Sequence, residues 1–294
     1  MKNVVTRFAP SPTGRLHLGH AYSALLAHDH ARAHDGIMLL RIEDIDPGRA
    51  RSAHIDGIIE DLLWLGIEPD GEIAYQSERL ALYAEALGRL KGLGLVYPCF
   101  CTRAGIAAEI AASVSAPHGP DGLVYPGTCR RLSAEERERR LRDEPHAWRL
   151  DVGKALEFPG ESRGALSWNN STAGEIIARP ERFGDVVLAR KDAPTSYHLA
   201  VTVDDAAQGV TDVIRGTDLF AATDIHRLLQ ALLGLPVPHY HHHPLLTDEE
   251  GRRLAKRNGA PAIADLRGAG ADPVELAANL RAGILPAGYS VAGA

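Results

Sequence analysis

The segment Ser11-Pro12-Thr13-Gly14-Arg15-Leu16-His17-Leu18-Gly19-His20 places two imidazoles three residues apart, where an apolar run gives way to an Ala/Leu-rich one. Side chains three apart share one helix face. If a helix begins there, its first turn offers unpaired backbone N–H groups and a partial positive charge, a natural seat for phosphate. His17 and His20 could donate to the same phosphate oxygens, and Gly19 removes a side chain so that a backbone or a nucleotide base can approach. Alone, two histidines three apart are more often a structural pair. The strand before them and the PSPTG turn favour the phosphate reading.

Other residues invite chemistry of their own. Arg253-Leu254-Ala255-Lys256-Arg257 is a basic pentapeptide in a Gly-containing loop. Such a run is commonly just a solvated loop. Yet the chain has only five lysines, at 2, 91, 154, 191 and 256, and Lys256 stands where Arg would serve solubility as well. A compact ammonium on a flexible stem suits developing phosphate charge. Cys99 and Cys101 form a CxC pair, with Cys129 a further 28 residues on. Three thiols so spaced suit either a zinc knuckle or free buried cysteines, and His118 is the imidazole available for a fourth ligand position. His239, His241, His242 and His243 resemble a metal tract, but neighbours on a strand point to opposite faces and cannot all converge. The six arginines between Arg130 and Arg142 alternate with acids. They read as a solvated helix, with a contact to a nucleic-acid backbone as the sharper alternative.

The elements that must hold these groups follow from pattern. Val4–Phe8 and Ile37–Ile42 read as buried strands, and Leu16–Asp35, Ala50–Leu65 and Glu78–Leu93 as helices. Strand–helix–strand alternation predicts βαβ units and a parallel sheet. From Pro98 to about Pro180 the pattern breaks and all three cysteines fall inside it, so this stretch reads as an insertion with its own small fold. Val186–Ala189, Leu199–Val203 and Val213–Ile214 are the next strand candidates, Asp224–Leu235 a helix, and Val274–Ala282 a short helix ahead of a flexible tail. The expected division is 1–97 and 181–240 as two halves of one nucleotide-binding domain, 98–180 as the insertion, and 241–294 as a loop with a short helical region.

Composition bounds the rest. The chain has 294 residues, 45% hydrophobic and 24% charged, as in ordinary soluble domains. A net charge of 32 − 38 = −6 does not suggest a general nucleic-acid coat protein but leaves room for a local basic patch. An odd cysteine count argues against a disulfide framework. No stretch approaches 18 uncharged apolar residues, and Met1–Pro12 lacks the basic-then-apolar signature of a secretory signal, so a cytoplasmic, membrane-independent protein is expected.

Taken together the motifs resemble the class I aminoacyl-tRNA synthetases. HLGH at 17–20 is similar to their HIGH signature, and RLAKR at 253–257 to their KMSKS loop. RFAPSPTGRLHLGH at 7–20, LLRIEDID at 39–46, TSYHLAVTVDD at 195–205 and VIRGTDL at 213–219 resemble the glutamyl branch, in family order from Arg7 to Pro261. Only 294 − 257 = 37 residues follow Arg257, too few for the helical anticodon-reading domain of that branch. The resemblance is therefore to the glutamyl-Q tRNA(Asp) synthetase family, the truncated paralogues. It implies an α/β fold: a Rossmann-like parallel sheet, an inserted zinc-bearing subdomain, a short helical C-terminal region and no anticodon-binding domain.

The resemblance also implies the activity and its residues. ATP, accompanied by Mg²⁺, activates L-glutamate without tRNA, and glutamate then passes to the queuosine base of tRNA(Asp). His17, His20 and Lys256 would be catalytic, and these with Gly19 would bind ATP. Arg7 and Arg215 would take the glutamate side-chain carboxylate, Glu43 its ammonium, and Ser11 and Tyr197 further polar contacts. One structural Zn²⁺ would be held by Cys99, Cys101, Tyr125 and Cys129. Asp44 and Asp46 read as helix-start acids, and a monomer is expected. The loop departs from its family in Arg253 for the first lysine and Ala255 for the serine, which predicts one lost hydrogen-bond donor at the phosphates. A compact glutamyl-tRNA synthetase charging the 3′ end of tRNA(Glu) and a non-catalytic tRNA-binding paralogue are the competing expectations.

Overall fold

The computed structural model describes residues 3–111, 118–120, 122–158, 160, 165–254 and 261–292. The chain opens with β1 (Val5–Phe8), α1 (Leu18–Ala33), β2 (Ile37–Ile42), α2 (Ser52–Trp64), β3 (Ala74–Tyr75) and α3 (Leu80–Gly92). Then follow β4 (Val96–Cys99), α4 (Arg103–Ala111), the hairpin β5 (His118–Gly119) and β6 (Gly122–Leu123), α5 (Ala134–Asp143), β7 (Ala147–Leu150) and α6 (Val152–Glu157). The second half holds β8 (Ser167–Asn170), β9 (Gly174–Ile177), β10 (Val187–Ala189), α7 (Tyr197–Ala207), β11 (Asp212–Gly216), α8 (Ala222–Leu233) and β12 (His239–His243). It closes with β13 (Leu246–Asp248), α9 (Ile263–Gly268), α10 (Pro273–Arg281) and β14 (Tyr289–Val291).

The parallel arrangement predicted from the alternation is present. β2 pairs in parallel with β1 and β3. β12 pairs in parallel with β11 and, at Tyr240–Asn170, with β8. The two sets meet where Thr211 N–H donates to the Val5 carbonyl at 2.9 Å. The helix α1 lies across them. Its inner face is Leu18, Ala21, Ala24, Leu25, Ala27 and Ala31, all buried. Small alanines let the helix approach closely enough for the buried Thr6 hydroxyl to donate to the Ala27 carbonyl at 3.0 Å. Each buried Leu here contributes about 1.5–3 kcal/mol relative to exposure.

A second, antiparallel sheet joins β4, β7 and β10. It takes β10 from beyond residue 180, while β8 and β9, inside residues 98–180, pair with each other and β8 joins β12 of the parallel sheet. The sheets therefore exchange strands across the boundaries drawn from composition.

Three expectations are corrected. Leu199–Val203 is not a strand but the centre of α7, because every residue from Leu199 to Asp205 is buried. A helix buried all round shows no 3.6-residue rhythm, so its β-branched run mimics a strand. The tail does not fade out after α10: Tyr289–Val291 returns as β14 and pairs antiparallel with Leu246–Asp248. Asp44 and Asp46 also do not start α2, which begins at Ser52. Asp44 instead accepts from Ser77 N–H and its hydroxyl, at 2.8 and 2.7 Å, fixing the single helical turn at 76–78. Asp46 accepts from Gly48 N–H and pairs with Arg190.

Candidate active site

Ligands of open parallel sheets bind in the crevice beyond the carboxyl ends of the strands. Here β1 ends at Phe8, β2 leads directly to Glu43, β11 ends with Arg215 and Gly216, and β12 ends at His243. These ends open onto a cavity of about 670 Å³. Arg7, Ser11, His17, Gly19, His20, Glu43, Tyr197 and Arg215 all line it, beside Arg253 and Leu254. The resemblance-based set is thus brought into one crevice, except Lys256. Lys256, with Ala255 and Arg257, lies outside the described residues. Both described ends of that loop are pinned nearby: Leu254 N–H donates to Leu246 O at 2.9 Å, and Ile263 N–H to Leu16 O at 2.8 Å, next to His17.

The two histidines do more than share a face. His17 is the N-cap of α1, and its Nδ1 accepts from Gly19 N–H at 3.1 Å. His20 Nδ1 reaches back and accepts from His17 N–H at 3.2 Å. This reciprocal capping is the imidazole version of a capping box. With both Nδ1 atoms accepting, each neutral ring carries its proton on Nε2 and is a donor there. The rings pack against each other at a tilt of 35°, centroids 3.7 Å apart. Gly19 leaves room for the His17 ring: a Cβ there would crowd it at 3.1 Å. The helix end thus keeps its positive pole while two amides are spent on fixing the rings.

The floor of the crevice is set by charge. Arg7, buried, donates from Nε to Asp205 at 3.1 Å and from Nη1 to the Ile214 carbonyl. Arg41, fully buried beneath it, donates to Asp205 and Gln208, both at 2.8 Å. Burial opposes ionisation of Asp205, but Arg7 and Arg41 outweigh it and hold its carboxyl below the ordinary value. Glu43 is the reverse case. Burial pushes its carboxyl up to about 7 against the pull of Arg41 and Arg7.

Arg215 is built differently from Arg7. It is 4% exposed, and its partners are His242 Nε2 (3.2 Å), Tyr197 Oη (3.4 Å), His226 Nδ1 (3.3 Å) and Thr223 Oγ1 (2.6 Å). Burial first, and the Arg215 charge second, hold His226 well below its ordinary pKa and His242 at about 3. Burial likewise raises the Tyr197 hydroxyl. All four partners are uncharged at neutral pH, and among the described residues no carboxylate lies within 4.0 Å of the guanidinium. A buried, unneutralised cation is costly unless an anion joins it.

His226, His242 and Thr223, on α8 and β12, were missed by the sequence reading; no local spacing links them to Arg215. His243 is a further wall residue. Its Nδ1 donates to the Pro244 carbonyl at 2.9 Å, leaving Nε2 a buried acceptor without a partner among the described residues.

The cysteines gather away from this cavity, on the β4 side. Cys101 Sγ is 3.5 Å from Cys129 Sγ, and the Tyr125 hydroxyl is 3.5 Å from both Cys99 and Cys101. Cys129 N–H donates to that hydroxyl at 2.9 Å, and Phe100 N–H to Cys129 Sγ at 3.3 Å. Burial raises the Cys129 thiol, but hydrogen bonds from Tyr125 and Phe100 prevail and hold it below its ordinary value. Burial pushes Cys101 up to about 11. The His118 side chain lies outside the described residues.

Comparison with known proteins decides the lineage. The family of "tRNA synthetases class I (E and Q), catalytic domain" matches residues 3–291. The chain belongs to this class I tRNA synthetase family. Among its relatives, the glutamyl-Q tRNA(Asp) synthetase of Rhodobacter capsulatus is 51% identical over 93% of this chain and 98% of its own length. That of Deinococcus radiodurans is 44% identical over 94% and 88%. Among solved structures, a glutamate tRNA ligase from Elizabethkingia meningosepticum, crystallised with its amino acid, superposes with a TM-score of 0.72 at 30% identity. The glutamate-tRNA synthetase of Elizabethkingia anophelis does so at 0.73 and 29%. Each covers 88% of this chain, which spans 53% of theirs. The class I catalytic domain is an α/β fold with a parallel sheet, as found here. No described helix is long and apolar enough to cross a membrane.

Proposed function

We propose that this protein activates L-glutamate with ATP, without tRNA, and transfers it to queuosine in tRNA(Asp). The observation that carries the substrate reading is Arg215, a buried guanidinium with only neutral partners, beside Arg7 and Tyr197 and across from Glu43. An amino acid with a second carboxylate supplies the missing anion for Arg215, and Glu43 faces its ammonium. Ser11 lines the same space. The names of the 44–51% identical relatives support queuosine-bearing tRNA(Asp) as acceptor.

The chemistry needs no protein nucleophile. The α-carboxylate of glutamate attacks the α-phosphorus of ATP, pyrophosphate leaves, and glutamyl-adenylate forms. The Nε2–H groups of His17 and His20, at the positive end of α1, donate to the phosphates as charge shifts toward the leaving group. Lys256 would add a compact ammonium to the same developing phosphate charge. Mg²⁺ accompanying ATP would supply further shielding of the phosphate charge. A hydroxyl of the queuosine cyclopentene ring then attacks the adenylate carbonyl, and AMP leaves. The residues do the work of positioning and charge stabilisation.

Cys99, Cys101, Tyr125 and Cys129 suit one structural Zn²⁺. Four donors converge from β4 and the turn at 125–129, three of them sulfur, with separations near those of ligands around a tetrahedral ion. The ion would supply a cross-link and takes no part in the reaction. The protein is proposed to be cytoplasmic and monomeric.

The deciding experiment is glutamate-dependent ATP–pyrophosphate exchange with no tRNA added, followed by transfer to tRNA(Asp) with and without queuosine. Exchange without tRNA and transfer only to the queuosine form is expected. Exchange that requires tRNA(Glu) would point to 3′-end charging, and none at all to a non-catalytic paralogue.

A further inference from the structure

At the far end of α1 from the active site, three side chains from three elements meet. His30 lies on α1, Asp212 at the start of β11 and His241 on β12. Asp212 Oδ1 is 2.9 Å from His241 Nε2 and 3.3 Å from His30 Nε2. One ligand atom from each lies within 4.8 Å of the other two. The His30 and His241 rings are 4.4 Å apart by centroid, and His34 flanks His30 at 4.5 Å. The Asp212 side chain is 12% exposed and the two imidazoles 23% and 24%, so solvent reaches the cluster.

We infer that His30, Asp212 and His241 form a binding site for a divalent first-row transition metal ion, distinct from the cysteine cluster. The donor set of two imidazoles and one carboxylate suits borderline ions such as Zn²⁺, Co²⁺ or Ni²⁺. A tetrahedral ion with ligands at about 2.0–2.2 Å holds its donors about 3.3–3.5 Å apart. The observed separations at Asp212 need to open by only a few tenths of an ångström. The carboxylate is preset: its other oxygen accepts from the Thr211 hydroxyl at 2.8 Å, the outer contact that orients a ligand. His34 Nδ1 bonds to the His30 carbonyl at 2.8 Å, which leaves its Nε2 facing outward one helical turn beyond His30. The histidine tract at 239–243 splits by face. His242 serves Arg215, and His241, on the other face, serves this cluster. An ion here would clip the C-terminal half of α1 to β11 and β12, ten residues or about 15 Å along the helix from His20.

The test is Co²⁺ titration of the metal-freed full chain, followed by absorption. Cobalt at the cysteines gives thiolate charge-transfer bands, whereas cobalt at His30, Asp212 and His241 gives only d–d bands. The expected result is a population with d–d bands alone. It survives Cys129→Ser and His239→Ala, and its Kd rises at least 30-fold in His241→Ala and in His30→Gln. In a Cys129→Ser background, Co²⁺ at 100 times its Kd should raise Tm by about 5 °C, and His30→Gln should remove that rise. His30→Gln can still donate to Asp212. If it melts like the parent with and without Co²⁺, or if no sulfur-free cobalt population forms, the cluster is only a hydrogen-bonded clip and the inference fails.

Discussion

At the scale of single residues, what separates Arg7 from Arg215 is the company each keeps. Arg7 is already neutralised by Asp205, and Arg215 is not. The incoming carboxylate therefore gains most from Arg215. Arg215→Ala should raise the glutamate KM by about 30-fold or more in pyrophosphate exchange, the equivalent of about 2 kcal/mol for a truncated buried charge pair, with the KM for ATP little changed. An unaltered glutamate KM would remove Arg215 from the pocket. Lys256→Ala should instead depress kcat at least roughly 100-fold, the scale of one preorganised donor; normal exchange in that variant would sink its role. Glu43 sets a pH dependence. With its carboxyl at about 7, it is protonated below that pH and cannot pair with an ammonium. The kcat/KM for glutamate should climb as pH rises through 7 and then level, and Glu43→Gln should flatten the profile. The stability sign is opposite. A raised acid pKa means the folded state holds more protons than the unfolded one, so this group's contribution to stability falls as pH rises from about 4.5 through 7. Free and substrate-bound protein should therefore differ most in Tm above pH 7.

At the scale of elements, periodicity revealed what was half-buried and hid what was wholly buried. α1 is legible because it is rich in Ala and Leu, strong helix formers, and has a part-exposed side of His, Asp29 and Arg32 opposite its buried residues. α7 is not, because its middle is enclosed by α3, α8 and β10 and has no wet face to mark its period. The HLGH motif could be placed at a helix start, but not the fact that both rings cap that helix. Nor could sequence pair Arg215 with His226 and His242, which meet only through the packing of α8 on β11 and β12. The cysteine spacing was readable as a cluster, and its integrity makes an element-level prediction. Cys99, Phe100, Tyr125 and Cys129 form a small core of their own with Tyr97, apart from the catalytic crevice. Removing the proposed zinc, by chelation or Cys129→Ser with metal analysis, should lower the melting temperature and cut transfer to tRNA more than tenfold. Pyrophosphate exchange should stay within about twofold. An equal fall in both activities would mean that the cluster supports the crevice itself.

At the scale of the whole molecule, the two half-reactions ask for different electrostatics. Adenylate formation is confined to a crevice whose charges are buried and poorly screened. Transfer requires an acidic protein, net −6, to hold a polyanion, so its contacts must be local. The arginine-rich α5 is a weak candidate, since two of its four arginines, Arg139 and Arg140, are already paired with Glu136 and Glu144. This favours the solvated-helix reading over a backbone clamp. Few phosphate contacts imply a shallow salt dependence: two or three of them cost roughly 10- to 40-fold in tRNA affinity between 50 and 200 mM salt, because each displaced counterion adds about 0.9 to the logarithmic slope. The apparent KM for queuosine-bearing tRNA(Asp) should rise by that factor over this range, while tRNA-free exchange, which depends on no polyanion, should change less than about twofold. A slope equal to six or more contacts would require a larger basic surface than the net charge and the partly paired arginines of α5 suggest. A slope near zero would mean that the acceptor is held by its queuosine base in the glutamate crevice alone.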